Sequence, residues 1–230
     1  MKMNKRKVFL TALAICLIAI LSMGTLAWFN ASDSVTNTFQ VADTDSDNKP
    51  DFSVELWETD AYDNRVDKRE YKDILPGDVL DKDPTVENTG NYDQYIRAYV
   101  TFSDAATLQA ACEKYGLSKD LRTWLNVDST VWEADADVNE ANGNITYCYY
   151  LKTVLGKKVG EATNKVKLFT TVTIPGVFVQ EDLSGTNAVF NIDVKAEALQ
   201  TANTGANAAE AFANVNWNEF ASYPDNTVNP

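Results

Sequence analysis

Apolar and polar residues alternate with a period of two in several separate stretches of this chain, the signature of half-buried strands. Phe52, Val54 and Leu56 point one way between Phe52 and Glu58. Ile96, Ala98, Val100 and Phe102 line one face from Tyr95 to Phe102, with Tyr95, Arg97, Tyr99 and Thr101 on the other. Thr85 to Asn88 reads as a short strand, and Ile145 to Val154 as one that follows the Asn142-Gly143-Asn144 turn. Thr163 to Thr173 holds one or two more before Ile174-Pro175-Gly176. Ala188 to Leu199 is a long strand with Phe190, Ile192, Val194, Ala196 and Ala198 on one side. The period changes between Asp104 and Tyr115, where Leu108, Ala111, Cys112 and Tyr115 recur at helical spacing, with Ser103 or Asp104 to cap the helix and Gly116 to end it. Lys119 to Leu125 predicts a second short helix, and Gly205 to Val215 a third, alanine-rich one before Trp217. Leu75-Pro76-Gly77-Asp78 is a turn, because proline presets one φ and glycine takes the next. Asp60 to Asp73 is a charged, solvated loop. Many strands with turn signals and no βαβ rhythm predict a mainly β fold: a jelly-roll-like β-sandwich with two or three short helices.

The first residues follow a different pattern. Lys2, Lys5, Arg6 and Lys7 precede a run from Val8 to Met23 that only Thr11 and Ser22 interrupt. Gly24-Thr25-Leu26-Ala27 follows, with small residues at Thr25 and Ala27, the layout of a secretory signal cut between Ala27 and Trp28. An uncleaved anchor is the competing reading, since the run approaches the ~18 residues of a membrane-spanning helix. The small residues at the junction and the polar chain beyond it favour cleavage. The chain then divides into a signal peptide (1–27), an extended N-terminal segment (28–41) and a sandwich domain (42–230). The membrane is met only through the signal, before cleavage. In the extended segment Val35, Phe39 and Val41 share one parity and would line one face of a strand.

Charge and composition narrow the chemistry. The formal net charge is −13, and loss of the signal's basic residues makes the mature chain more acidic still. That excludes a nucleic-acid footprint and favours a self-repelling surface that divalent cations screen. Histidine is absent, which removes Ser-His-Asp and Cys-His machinery and every His-ligated zinc site. Of three cysteines, Cys16 leaves with the signal. Cys112 and Cys148 remain, either as a candidate disulfide in an oxidising compartment or as two buried thiols. Tyr95, Arg97 and Tyr99, with Tyr147 and Tyr149, form either a binding face or cross-strand packing. Trp57, Trp124, Trp132 and Trp217 read as core or edge anchors.

The sharpest constellation is Asp43-Thr44-Asp45-Ser46-Asp47-Asn48-Lys49-Pro50-Asp51. Carboxylates at its first, third, fifth and ninth positions fit an oxygen-rich calcium loop, with the backbone carbonyl of Lys49 at the seventh. Asn48 stands where such loops carry glycine, and Val54 where they carry glutamate. A solvated Asp-rich loop is the alternative. A bound calcium would stiffen the link between the N-terminal segment and the strand that begins at Phe52.

The junction from Gly24 to Asn30, running on through Ser34-Val35-Thr36-Asn37-Thr38-Phe39, resembles the signal and mature start of the TasA/camelysin family. The similarity continues through Leu75 to Asp78, Lys82 to Gly90, Tyr95-Ile96-Arg97, Leu168-Phe169, Ile174-Pro175-Gly176 and Ala196 to Gln200. The resemblance implies a secreted Firmicutes jelly roll released by a signal peptidase of the SipW type, located in the extracellular matrix or at the cell surface. It implies a structural protein of biofilms, a fibre subunit whose N-terminal stretch, here Val35, Phe39 and Val41, is donated to a neighbouring copy or a related matrix protein. Pairing of that stretch within its own sheet is the alternative. The name camelysin carries a claim of metal-dependent proteolysis, but this chain has neither histidine ligands nor a base paired with a nucleophile. The expectation is therefore a non-enzymatic matrix protein, ahead of a monomeric calcium-stabilised cell-surface binding module and, last, a secreted metallopeptidase.

Overall fold

A computed structural model describes residues 30–34, 37–38, 52–157, 164–183, 190–202 and 204–215. In chain order the strands are β1 (Asn30–Ser34), β2 (Asn37–Thr38), β3 (Val54–Thr59), β4 (Arg65–Val66), β5 (Val79–Asp81), β6 (Thr85–Asn88), β7 (Gln94–Phe102), β8 (Trp132–Ala141), β9 (Asn144–Leu151), β10 (Lys165–Lys167), β11 (Thr171–Thr173) and β12 (Ile192–Gln200). The helices are α1 (Ala105–Lys114), a 3-10 turn (Leu121–Trp124), α2 (Gln180–Leu183) and α3 (Ala208–Ala213). One sheet runs β2-β1-β12-β7-β9-β8, a second β10-β6-β3-β4, and β11 pairs with β5. The described pairings are antiparallel. The fold is the expected mainly β sandwich.

Alternation decides which side chains meet. Phe52, Val54 and Leu56, with Val86 from β6, face Ile96, Ala98, Val100 and Phe102 of β7 and Val194, Ala196 and Ala198 of β12 in one buried cluster. Helix α1 closes it with Leu108, Ala111 and Cys112. Trp124 of the 3-10 turn meets Phe102 edge-on at 6.2 Å, and Phe102 meets Tyr147 at 6.0 Å. Such edge-to-face pairs add to area burial in fixing the core's geometry. Trp132 is buried and donates its indole N–H to the Lys167 carbonyl at 2.9 Å. Trp57 is half-buried, with the Arg65 guanidinium 4.5 Å from its ring; Trp217 lies outside the described residues.

The turns follow their residues. Asp78 N–H bonds the Leu75 carbonyl, and the Asp78 carboxylate accepts from Leu75 N–H. Asn142 and Gly143 both have positive φ, 55° and 80°, the backbone that joins two twisted strands through a two-residue loop. That hairpin reveals β8, a strand its polar sequence did not announce.

Of the two readings of the tyrosines, the structure has packing rather than a binding face. Tyr147 and Tyr149 do not belong to an outer face, because β9 turns them into the core and leaves Cys148 and Tyr150 outside. Nor is the face of Tyr95 and Arg97 open. Helix α3 lies across it, and Tyr95, Leu199, Ala208, Ala211, Phe212 and Val215 form a second buried cluster with Tyr150 packed against it. Tyr95 donates its hydroxyl to the Gly205 carbonyl at 3.0 Å. A side chain at Gly205 would bring its Cβ within 2.7 Å of the Ala211 nitrogen, so glycine is what lets the chain turn so tightly into α3.

Of the two readings of the remaining cysteines, the structure has free thiols at both Cys112 and Cys148. Cys112 belongs to the sandwich core, whereas Cys148 is on the strand parity opposite to Tyr147 and Tyr149, so the sheet itself stands between them. Burial pushes both thiols up in pKa, Cys148 to about 11.

Candidate strand-exchange edge

The six-stranded sheet has two unlike edges, and the difference sets what each can do. At one edge β1 runs antiparallel to β12, with Asn30 opposite Leu199, Ala31 opposite Ala198, Ser32 opposite Glu197, Asp33 opposite Ala196 and Ser34 opposite Lys195. On its other side β1 meets, among the described residues, the two-residue β2, through Asp33–Thr38 and Ser34–Asn37. β12 in contrast is paired with β7 along its whole length, Ile192 to Gln200. β12 is thus anchored without β1, while β1 is joined to the sheet through its ladder with β12 and also lies close to β3 of the second sheet. Each such hydrogen bond contributes a net ~0.5–1.5 kcal/mol. Backbone ladders carry little sequence information, so the same segment of another copy can offer the same pairing.

The platform under that ladder is rigid. Val194, Ala196 and Ala198 of β12 are buried in the main core, and Leu199 in the second. On the outer face Arg97 grips Glu197 through Nε at 3.1 Å and Nη2 at 2.5 Å, and Lys195 Nζ reaches the other Glu197 oxygen at 2.7 Å. The Arg97 guanidinium also sits 4.3 Å from the Phe212 ring. Burial works against the Arg97 charge, and Glu197 more than offsets it, which raises Arg97 above its ordinary value. β12 thus has holds on both faces besides its ladder to β1.

The opposite edge is β8, ten residues long and mostly exposed. It carries Glu133, Asp135, Asp137 and Glu140, and its register jumps between Ala134, opposite Tyr149, and Val138, opposite Tyr147. Asp135 organises the bulge: its carboxylate accepts from Tyr150 Oη at 3.0 Å and Asp137 N–H at 3.1 Å, and its carbonyl from Arg122 at 3.2 Å. Acidic side chains and a bulge are what protect an open edge from unwanted pairing.

Of the residues singled out from sequence, Val35, Phe39 and Val41 lie outside the described residues, as do Ala27 and Trp28 and the loop of Asp43, Asp45, Asp47, Lys49 and Asp51. Among the described residues no group of three or more carboxylates and thiols is placed to hold a metal ion. Among them, too, no helix is long and apolar enough to cross a membrane. Sequence reasoning missed the β8 edge and the docking of α3; the Asn142-Gly143 hairpin signal, read backwards along the chain, marks the first. Compared with models of known protein families, with curated proteins and with solved structures, the chain matches none of them.

Proposed function

We propose that this chain is exported, cut between Ala27 and Trp28 by a signal peptidase of the SipW type, and works outside the cell as a non-enzymatic structural protein of the extracellular matrix. Its assembly step is exchange of the N-terminal strand with a second copy or a related matrix protein. The observation that carries the reading is the inequality of the two sheet edges: β8 is bulged and acidic, while β1 rests on an independently anchored β12. Calcium on Asp43, Asp45, Asp47, Lys49 and Asp51 would neutralise part of the acidic chain and stiffen the segment leading to Phe52.

Light scattering and electron microscopy on residues 28–230, with and without millimolar calcium, beside a 42–230 truncation and an Ala31→Pro variant, test this. Fibres or larger assemblies from 28–230 that both changes abolish are expected, because the truncation removes the strand and proline removes a ladder donor. Monomers of 28–230 under every condition would sink strand exchange.

A further inference from the structure

Two turns at one end of the sandwich lean on each other. Leu75-Pro76-Gly77-Asp78 leads into β5 and Ile174-Pro175-Gly176 follows β11, and the β5–β11 ladder holds them side by side, with Val79 opposite Thr173. Gly77 N–H donates to the Ile174 carbonyl at 3.1 Å, and Ile174 N–H to the Asp78 carbonyl at 2.9 Å. A Cβ at Gly176 would lie 3.5 Å from Gly77 Cα, so the two backbones pass close together. Ile174 and Phe178 are buried in the main core, with Ile74 and Leu80 packed against it. Their neighbours Leu75, Val79, Val177 and Val179 are left outside, each between 45% and 59% exposed. The carboxylates of these loops bend back into them: Asp78 accepts from Leu75 N–H at 2.8 Å, and Asp182 from Val179 N–H at 2.8 Å and Lys114 Nζ at 2.7 Å. Single exposed apolar residues are ordinary, but four aliphatic side chains on two adjoining, hydrogen-bonded turns make a patch, and patches mark contact sites.

We infer that this patch docks a second copy of the chain, the one whose N-terminal strand lies on β12. The inference rests on strand exchange and adds a second contact to it. Direction argues for the occupant. β1 runs antiparallel to β12 and ends with Ser34 opposite Lys195, toward Ile192. A donated strand therefore sends the rest of its copy off β12 at the Ile192 end. The patch is at that same end: Phe190, which leads into β12, meets Trp124 at 6.1 Å, and Trp124 meets Phe178, between Val177 and Val179, at 5.8 Å. Residues 35–51 keep the second sandwich, from Phe52 onward, within about 60 Å even at full extension. That tether makes the second contact intramolecular, so a patch of modest area suffices. Charge agrees. Two copies of a chain with net charge −13 repel each other, and aliphatic side chains let them meet without adding to the repulsion. The turns are held by their own hydrogen bonds, so docking costs little ordering.

The test is sedimentation velocity over a concentration series. It compares 28–230 with the pair Val79→Glu and Val177→Glu, and with the pair Tyr92→Glu and Val154→Glu. The second pair adds the same charge at similarly exposed side chains, but beside Gln94, which faces Gln200 at the other end of β12. The patch pair should weaken association about ten-fold or more and the control pair less than about two-fold. Equal association of the parent and the patch pair overturns the patch and leaves strand exchange standing. Association of 42–230 that the patch pair abolishes supports the patch contact and sinks strand exchange. Monomers of 28–230 at every concentration overturn both. Flotation of 28–230 with phosphatidylcholine vesicles, lost in the patch pair, would give the patch to a lipid surface and overturn the second copy as its occupant.

Discussion

The pair of Lys82 and Glu58 allows a quantitative test of how this sandwich tolerates charge at its inner face. Their side chains are 11% and 4% exposed, and Nζ lies 2.5 Å from Oε1. Removing one partner of such a pair leaves the other charge uncompensated, which costs ~3–5 kcal/mol. That is a large share of the ~5–15 kcal/mol that a domain of this kind has in total. Lys82→Met should fall in that range, since the Glu58 carboxylate then loses the one partner it has among the described residues. Glu58→Leu should lie at the lower end, because the long lysine stem lets the ammonium reach toward solvent. The double variant removes both desolvated charges and the unpaired oxygen together, and should return to within ~1 kcal/mol of the parent or exceed it. Lys68 and Glu70 supply the control. They lie 3.7 Å apart with side chains 73% and 68% exposed, and Lys68→Met should cost under ~0.5 kcal/mol. Urea unfolding of 28–230 followed by tryptophan fluorescence reads all four, as Trp124 and Trp132 are buried. A double variant as unstable as the two single losses added together would refute the reasoning, as would a Lys82→Met cost below ~1 kcal/mol.

Acid should weaken the fold partly through Asp83. Burial alone would raise its pKa, but the Thr59 N–H at 2.8 Å, the Thr59 hydroxyl at 2.7 Å and Lys167 at 3.0 Å outweigh it and hold the carboxyl below its ordinary range. A depressed folded pKa means stability that is present above the unfolded value, ~3.9, and lost as pH falls through the folded one. Unfolding free energy measured from pH 6 down to pH 2 should therefore drop less steeply in Asp83→Asn than in the parent, and identical slopes would exclude the role. The thiols give the other prediction: with Cys148 pushed up to about 11 by burial, iodoacetamide at pH 8 should label the native chain slowly and both Cys112 and Cys148 rapidly in urea. An unfolded, non-reduced chain that resists labelling would instead mean that the two thiols are joined.

Where burial and period coincide, the sequence was readable. The inward set of β7 and the Phe52-Val54-Leu56 stripe were legible because each has a face whose every member is apolar. Two features were not. β8 presents almost no apolar face, since an edge strand has one neighbour and needs little burial; its existence follows only from β9 and the hairpin turn. The tyrosines stayed open between a binding face and packing because parity along β9 cannot say which face is the core. Tyr147 and Tyr149 alternate as well as Tyr150 and Cys148 do, and the choice is made by α1 and Phe102 packing on one side. α3 was recognised as a helix, with Asn207 accepting from Glu210 N–H at 2.9 Å as its cap. That it would bury Tyr95 and Phe212 beneath it depends on the chain path after Gln200, which no local pattern encodes.

The covered outer face and the guarded β8 edge together restrict how copies of this chain can meet. A surface as acidic as this one repels its like at long range, so contact must come from something that does not depend on charge matching. Face-to-face stacking on the six-stranded sheet is blocked around Tyr95, Arg97 and Glu197 by α3, whose contacts with Tyr95, Arg97 and Tyr150 fill that surface. Pairing along β8 meets four carboxylates and a bulge. The backbone of β12 where β1 pairs with it escapes both obstacles: its inward residues there, Ala196 and Ala198, are small and buried, and its link to β1 is a backbone ladder. The proposed exchange at that edge would replace one ladder by an identical one, so its equilibrium would turn on chain concentration and on the segment between Thr38 and Phe52. Calcium at the Asp-rich loop would act on that segment, and its effect would therefore fall on assembly rather than on the stability of the sandwich.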